Sequence, residues 1–102
     1  MILYEVTCIL KEKKIEEDFV KYMTTKHVKE VFDTGCFLNA SFIKTESSLI
    51  YRSSYFVKNK ELLDNYVSNF APKLRQDVIN KFSEGAIEFK RTVSEVLFQD
   101  SI

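Results

Sequence analysis

The side chains able to do chemistry in this chain are few. There is one histidine, His27, and there are two cysteines, Cys8 and Cys36. His27 lies in the stretch KHVKEVFDTGCF, residues 26 to 37, flanked by Lys26 and Lys29. Histidine titrates nearest neutral pH, so it is the first candidate for acid–base work or for donating a hydrogen bond to a ligand. One histidine without a matching base or metal set makes no complete site, and its simplest role is a half-buried ring bonded to nearby backbone. Cys8 and Cys36 lack the C-x-x-C spacing of zinc ligands or redox pairs. Arg75 and Arg91 suit a carboxylate, although pairing with surface acids is the ordinary use of arginine. Nothing here has the form of a phosphate loop, a Gly-x-Ser-x-Gly turn or a carboxylate metal cluster. The sequence therefore calls for no metal and no cofactor, and it carries no catalytic motif.

Bulk composition narrows the field further. At 102 residues the chain is expected to be a single domain, residues 1–102. Apolar residues make up 45% and charged residues 29%, ordinary proportions for a globular protein. Lysine plus arginine balances aspartate plus glutamate at 15 each, so no global field favours nucleic acid or an anionic membrane. The start, MILYEVTCILKEKK, places apolar residues before charges, the reverse of a signal peptide. No apolar run approaches the roughly 18 residues of a spanning helix. These features point to the cytoplasm, where two thiols ordinarily stay reduced.

Periodicity supplies the elements that must position these groups. Residues 2–10, ILYEVTCIL, are β-branched and aromatic with apolar even positions, and read as a strand. From Ile15 to Phe32 the period is helical, with Ile15, Phe19, Tyr22 and Met23 on one stripe. After Met23 the stripe fails: Val28, Val31 and Phe32 fall out of phase on a helix of 3.6 residues per turn. Thr24 and Thr25 mark the join, so a kinked helix or two short ones is expected, with His27 near the start of the second. Gly35 is placed to end it in a left-handed cap. CFLNASFIK (36–44) and LIYRSSYFV (49–57) read as a hairpin across the polar TESS. Asn59 is a helix N-cap, followed by an apolar face of Leu62, Leu63, Tyr66, Val67 and Phe70. Pro72 opens a further helix carrying Leu74, Val78, Ile79 and Phe82. AIEFKRTVSEVLF (86–98) alternates and reads as the last strand.

The order β-α-β-β-α-β predicts an α+β, ferredoxin-like sandwich with a four-stranded antiparallel sheet and helices on one face. In that arrangement Cys8 and Cys36 are not on neighbouring strands. Leu38, Ala40 and Phe42 would share the inner face with Tyr51, Ser53 and Tyr55, and Tyr4 would join them. Tyr4, His27, Tyr51 and Tyr55 are thus the candidate lining of a small pocket between helices and sheet, because buried tyrosine hydroxyls need partners or water. The outer face should be polar if it meets water. Here Leu3, Ile9, Phe37 and Ile43 interrupt Glu5, Thr7, Asn39 and Ser41, and Arg52 falls on that side. Apolar area on that scale suggests a second copy packed sheet to sheet, a homodimer. RNA-recognition domains share the topology, but strand LIYRSSYFV lacks their glycine-containing basic signature.

The segments MILYEVT, YMTTKHVKEVFDTGCF, YFVKNKELLDNYVSNFAPKLR and FKRTVSEV together resemble a bacterial domain-of-unknown-function family of proteins about this long. The markers are Tyr22-Met23, His27, Glu30-Val31, Thr34 to Phe37, Ala71-Pro72, Leu74-Arg75, Phe89 and Arg91. The chain departs from that pattern at Tyr22, where tryptophan is common, and at Lys29, where proline is common. The resemblance implies a ferredoxin-like fold of the dimeric α/β-barrel kind and no established activity. The functional expectation is a small cytoplasmic homodimer binding a small molecule in each subunit's pocket. The alternatives are a cofactor-free enzyme of oxygenase, isomerase or mutarotase type, with His27 as the candidate catalytic residue, and a protein-interaction module.

Overall fold

The computed structural model describes residues 1–100. Strands β1 (Ile2–Leu10), β2 (Ser41–Lys44), β3 (Ile50–Val57) and β4 (Ile87–Glu95) form one antiparallel sheet in the order β2-β3-β1-β4. Four helical segments cover one face: α1 (Glu16–Tyr22), α2 (Val28–Phe32), α3 (Lys60–Asn69) and α4 (Ala71–Phe82). This is the expected ferredoxin-like β-α-β-β-α-β arrangement, with β1 and β3 central.

The first helical stretch explains the break in phase. A 3₁₀ turn (Lys13–Ile15) leads into α1, and a π-helical segment, Met23–His27, joins α1 to α2. The Val28 N–H reaches back five residues to the Met23 carbonyl. Each π turn holds an extra residue, so residues after it are turned by roughly 100° relative to an unbroken α-helix. Thr24 and Thr25 support the wider turn from their side chains. Thr24 Oγ1 donates to the Val20 carbonyl at 2.8 Å, and Thr25 Oγ1 donates to the Lys21 carbonyl at 2.5 Å. Such back-bonding competes with regular helical pairing. Phe19, Met23 and Val31 are all buried, since the phase change returns Val31 to the core. Gly35 then takes φ 79°, the left-handed stop that its type suggested.

Strand β2 is shorter than its sequence suggested. Residues 36–40 leave the ladder, so the in–out alternation of a strand does not extend through them. Phe37, expected on the outer face, is instead 6% exposed, with its ring 4.8 Å from those of Tyr55 and Tyr66. Leu38, expected inside, is 55% exposed. The segment is tied down by Leu38 N–H, which donates to the Phe56 carbonyl at 2.8 Å. In return Asn39 Oδ1 accepts from Phe56 N–H at 2.8 Å. The Asn39 side chain thus stands in for a ladder carbonyl. Regular pairing resumes at Ser41, and Phe42 stacks on Tyr51 at 5.5 Å.

Asn59 caps α3, its Oδ1 accepting from Leu62 N–H at 3.0 Å. Pro72 stands in the first turn of α4, where its missing N–H costs nothing. β4 ends at Glu95, short of the expected residue 98.

The inner face carries two apolar clusters. One gathers Tyr4, Phe37, Tyr55 and Val57 under Leu63, Tyr66 and Leu74. The other gathers Cys8, Leu10, Tyr51 and Ile87 under Phe19, Met23, Val78 and Phe82. Val6 and Val28 pack against both. Helical cover fades along β4: Ile87 is buried and Phe89 half-buried, while Arg91 and Val93 are exposed.

Candidate functional site

Where the two clusters meet beside β4, the packing leaves a pocket of about 220 Å³. Its floor is sheet. Tyr4 and Val6 come from the even, inward side of β1; Arg91 pairs with Val6 and Phe89 with Cys8 across the β1–β4 ladder. Its roof is helix. Ala71, Arg75 and Val78 fall at i, i+4 and i+7 of α4 and so share one face. Tyr66 of α3 and His27 of the π segment complete the wall.

His27 is set for an uncharged role. Its Nδ1 is buried without a hydrogen-bond partner. Burial pushes its pKa down to about 4, with the Asp77 carboxylate acting weakly in the opposite sense. At neutral pH the ring is therefore neutral, with one nitrogen carrying a proton and the other a lone pair. With Nδ1 enclosed, Nε2 is the atom left to meet a ligand. The ring stacks on Tyr22 at 6.2 Å. Asp77 is itself held by Lys73 Nζ at 3.0 Å.

Arg75 is half-buried and Arg91 stands at the exposed rim. Among the described residues neither makes an ion pair, although Arg52 does, its Nε 3.8 Å from Glu5 Oε2 on the outer face. The expected pairing of Arg75 and Arg91 with surface acids is thus not found among these residues. Burial raises the pKa of the Tyr66 phenol, reinforced by Tyr4 and Tyr55, while the Arg75 guanidinium pulls it back down. Tyr66 therefore faces the pocket as a neutral hydroxyl within reach of Arg75's field.

The four pocket candidates separate. Tyr4 and His27 line the cavity. Tyr51 lies under α1 instead, where its hydroxyl donates to Glu16 Oε2 at 2.6 Å beside the Lys44–Glu16 bridge of 2.9 Å. Tyr55 is 1% exposed within the core, where burial pushes its phenol to about 12. Sequence reasoning missed Tyr66 as a lining residue, although its place on the apolar face of α3 directs it inward. It also missed that Arg75 and Arg91 share one pocket, which only the β1–β4 register and the face of α4 bring about. No group of three or more histidine, cysteine or acidic side chains suited to a metal exists among the described residues. Both cysteines are buried free thiols, and among the described residues no helix is long and apolar enough to cross a membrane.

Residues 1–96 match the family described as Domain of unknown function (DUF4286). A search of curated proteins finds no match. Among solved structures, the chain is similar to a dimeric ferredoxin-like protein from an uncultured marine organism. That match has a TM-score of 0.75 and 8% identity over 99% of this chain and 98% of the other. It is also similar to a putative antibiotic biosynthesis monooxygenase from Nitrosomonas europaea, with a TM-score of 0.71 and 9% identity over 96% and 100% of the two chains. A heme degrader from Mycobacterium tuberculosis, solved with two hemes in its active site, gives a TM-score of 0.74. Its identity is 10% over 99% and 100% of the two chains. At these identities the likeness is one of fold.

Proposed function

This chain belongs to the DUF4286 family, and we propose that it works as a small-molecule-binding homodimer with one pocket in each subunit. The observation that carries this reading is the cavity at the seam of the two core clusters. Its walls mix apolar Val6, Ala71, Val78 and Phe89 with polar Tyr4, His27 and Tyr66. An apolar lining with a few convergent polar groups is the common form of a ligand site. Its volume equals about seven waters at ~30 Å³ each, enough for a compact metabolite. A cytoplasmic setting suits the two free thiols. Association through the open sheet face is supported by half-buried Leu3, Ile9 and Ile50 and by Ile43, which is 47% exposed. A thermal-shift screen against a broad metabolite library tests the pocket. Compounds that stabilise the wild type but not Tyr66→Ala or His27→Ala support it, and a screen without a single such compound overturns it.

A second reading is a cofactor-free enzyme of oxygenase, isomerase or mutarotase type. It is favoured by one observation: a π-helical segment, a geometry common at functional sites, places a neutral histidine in the cavity wall. Turnover of a screened ligand that is lost in a folded His27→Ala variant selects this reading over simple binding.

A further inference from the structure

Resting on the pocket reading above, we infer that the ligand is a small organic acid whose carboxylate is held by Arg75 and Arg91 while its apolar body lies against Val6, Val78 and Phe89. Two arginines line one cavity from different elements, half-buried Arg75 from α4 and Arg91 at the rim from β4. A half-buried cation is costly to leave without a counter-charge. The described residues supply none: the bridges that exist use Lys14, Lys29, Lys44, Arg52, Lys60 and Lys73. Of the acids near the cavity, Asp77 is already held by Lys73. The planar fork of arginine matches a carboxylate through two parallel hydrogen bonds. Tyr66 and a neutral His27 add uncharged polar groups, so among the lining residues the arginines alone carry charge.

The remaining walls argue for an acid with a body rather than a bare anion. Val6, Ala71, Val78 and Phe89 would face empty space around inorganic phosphate, whereas a ring or branched chain would fill it. No glycine lines the cavity, so it lacks the glycine-rich loop by which a backbone closes on phosphate.

The test is a set of matched pairs, each a small carboxylic acid and its own primary amide, over aromatic and branched aliphatic bodies, with benzoate and benzamide as the first pair. Phenyl phosphate and inorganic phosphate form the other arms. Binding is measured by calorimetry and thermal shift on the full chain. The expected result is that at least one acid binds roughly ten- to a hundredfold tighter than its amide, the worth of a charge-assisted hydrogen bond. Arg75→Gln and Arg91→Gln should each erase that preference, and Arg75→Lys should restore part of it. Unliganded melting temperatures within a few degrees of wild type show that these variants fold. Equal binding of acids and amides overturns the inference and leaves the pocket reading standing. So does an acid preference that survives both glutamine variants. Tighter binding of phenyl phosphate than benzoate overturns the carboxylate assignment. Failure of every acid, amide and phosphate overturns this inference, and the library screen then decides separately on the pocket.

Discussion

His27 stacks on Tyr22, five residues earlier, with ring centroids 6.2 Å apart and planes inclined by 24°. In a regular α-helix, residues five apart point about 140° away from each other at 3.6 residues per turn. The wider π turn across Met23–His27 brings the two rings into line. Tyr22 also meets Phe82 of α4 edge-on at 5.7 Å, so it pins the imidazole between two helices. Tyr22→Ala should therefore do two things. It should destabilise the fold by about 2 kcal/mol, below the range for a fully buried aromatic because the ring is half-buried. It should also admit water to the imidazole, moving its pKa from about 4 back toward 6.5. With one histidine in the chain, a single C2–H proton resonance followed by NMR from pH 3 to 8 reads that shift directly. An unchanged titration would show that Tyr22 does not shield the ring.

The depressed pKa of His27 makes stability depend on pH in a defined window. The unfolded chain takes up the proton near 6.5 and the folded chain only near 4. Between those values the unfolded state binds more protons, so stability is full above about 6.5 and declines as pH falls toward 4. The total loss is at most about 3.5 kcal/mol, from ~1.4 kcal/mol for each unit of difference. Glu16, whose pKa is lowered by hydrogen bonds from Tyr51 and then Lys44, acts in another range. Its contribution is present above the ordinary carboxylate range and is lost as pH falls below it. Urea melts at pH 5.0, 6.0 and 7.5 should show wild type weakening on acidification and His27→Gln nearly flat. Parallel slopes for the two proteins would contradict the burial of this ring.

Phe37 marks where sequence reasoning stopped working. The topology was legible because its signals are local. Period-two alternation in β1 and β3, the Asn59 cap, Gly35 and Pro72 each act within a few residues. The phase break after Met23 was legible as a discontinuity, but a π segment and a kink leave the same trace in sequence. Residues 36–40 read as a strand, because CFLNASFIK has strand composition throughout. What takes them off the ladder is Asn39 bonding Phe56, a contact 17 residues away. For the cavity wall, strand parity speaks only for the inward face of Tyr4, and the phase break after Met23 only for the helical position of His27. The cavity's full lining depends on how far α4 reaches over β4, a packing outcome with no local signature. The corrected position of Phe37 predicts that Phe37→Ala costs about 3–5 kcal/mol, as for a buried aromatic. An outer-face residue would cost within about 0.5 kcal/mol. Equilibrium denaturation separates the two.

The open face of the sheet supplies the last prediction. Its centre is polar, with Ser54 Oγ donating to Glu5 Oε2 at 3.0 Å and Arg52 beside the same oxygen. Its two ends are apolar. Leu3 lies between Phe56 and Ser94 at one end, and Ile9 between Ile50 and Glu88 at the other, with Ile43 beside Arg52 on β2. Polar centre and apolar ends suit a two-fold partner that presents the same pattern in return. Light scattering at micromolar concentration should give the mass of two chains for the wild type. Ile43→Lys and Ile9→Lys place charge in the buried contact, where an unpaired ion is strongly disfavoured, and the double variant should give the mass of one chain. Because Ile43 is solvent-facing within the subunit, Ile43→Lys should change the fold's own stability by no more than about 0.5 kcal/mol. A wild-type mass of one chain, or a double variant that stays paired while folded, would place the contact elsewhere or remove it.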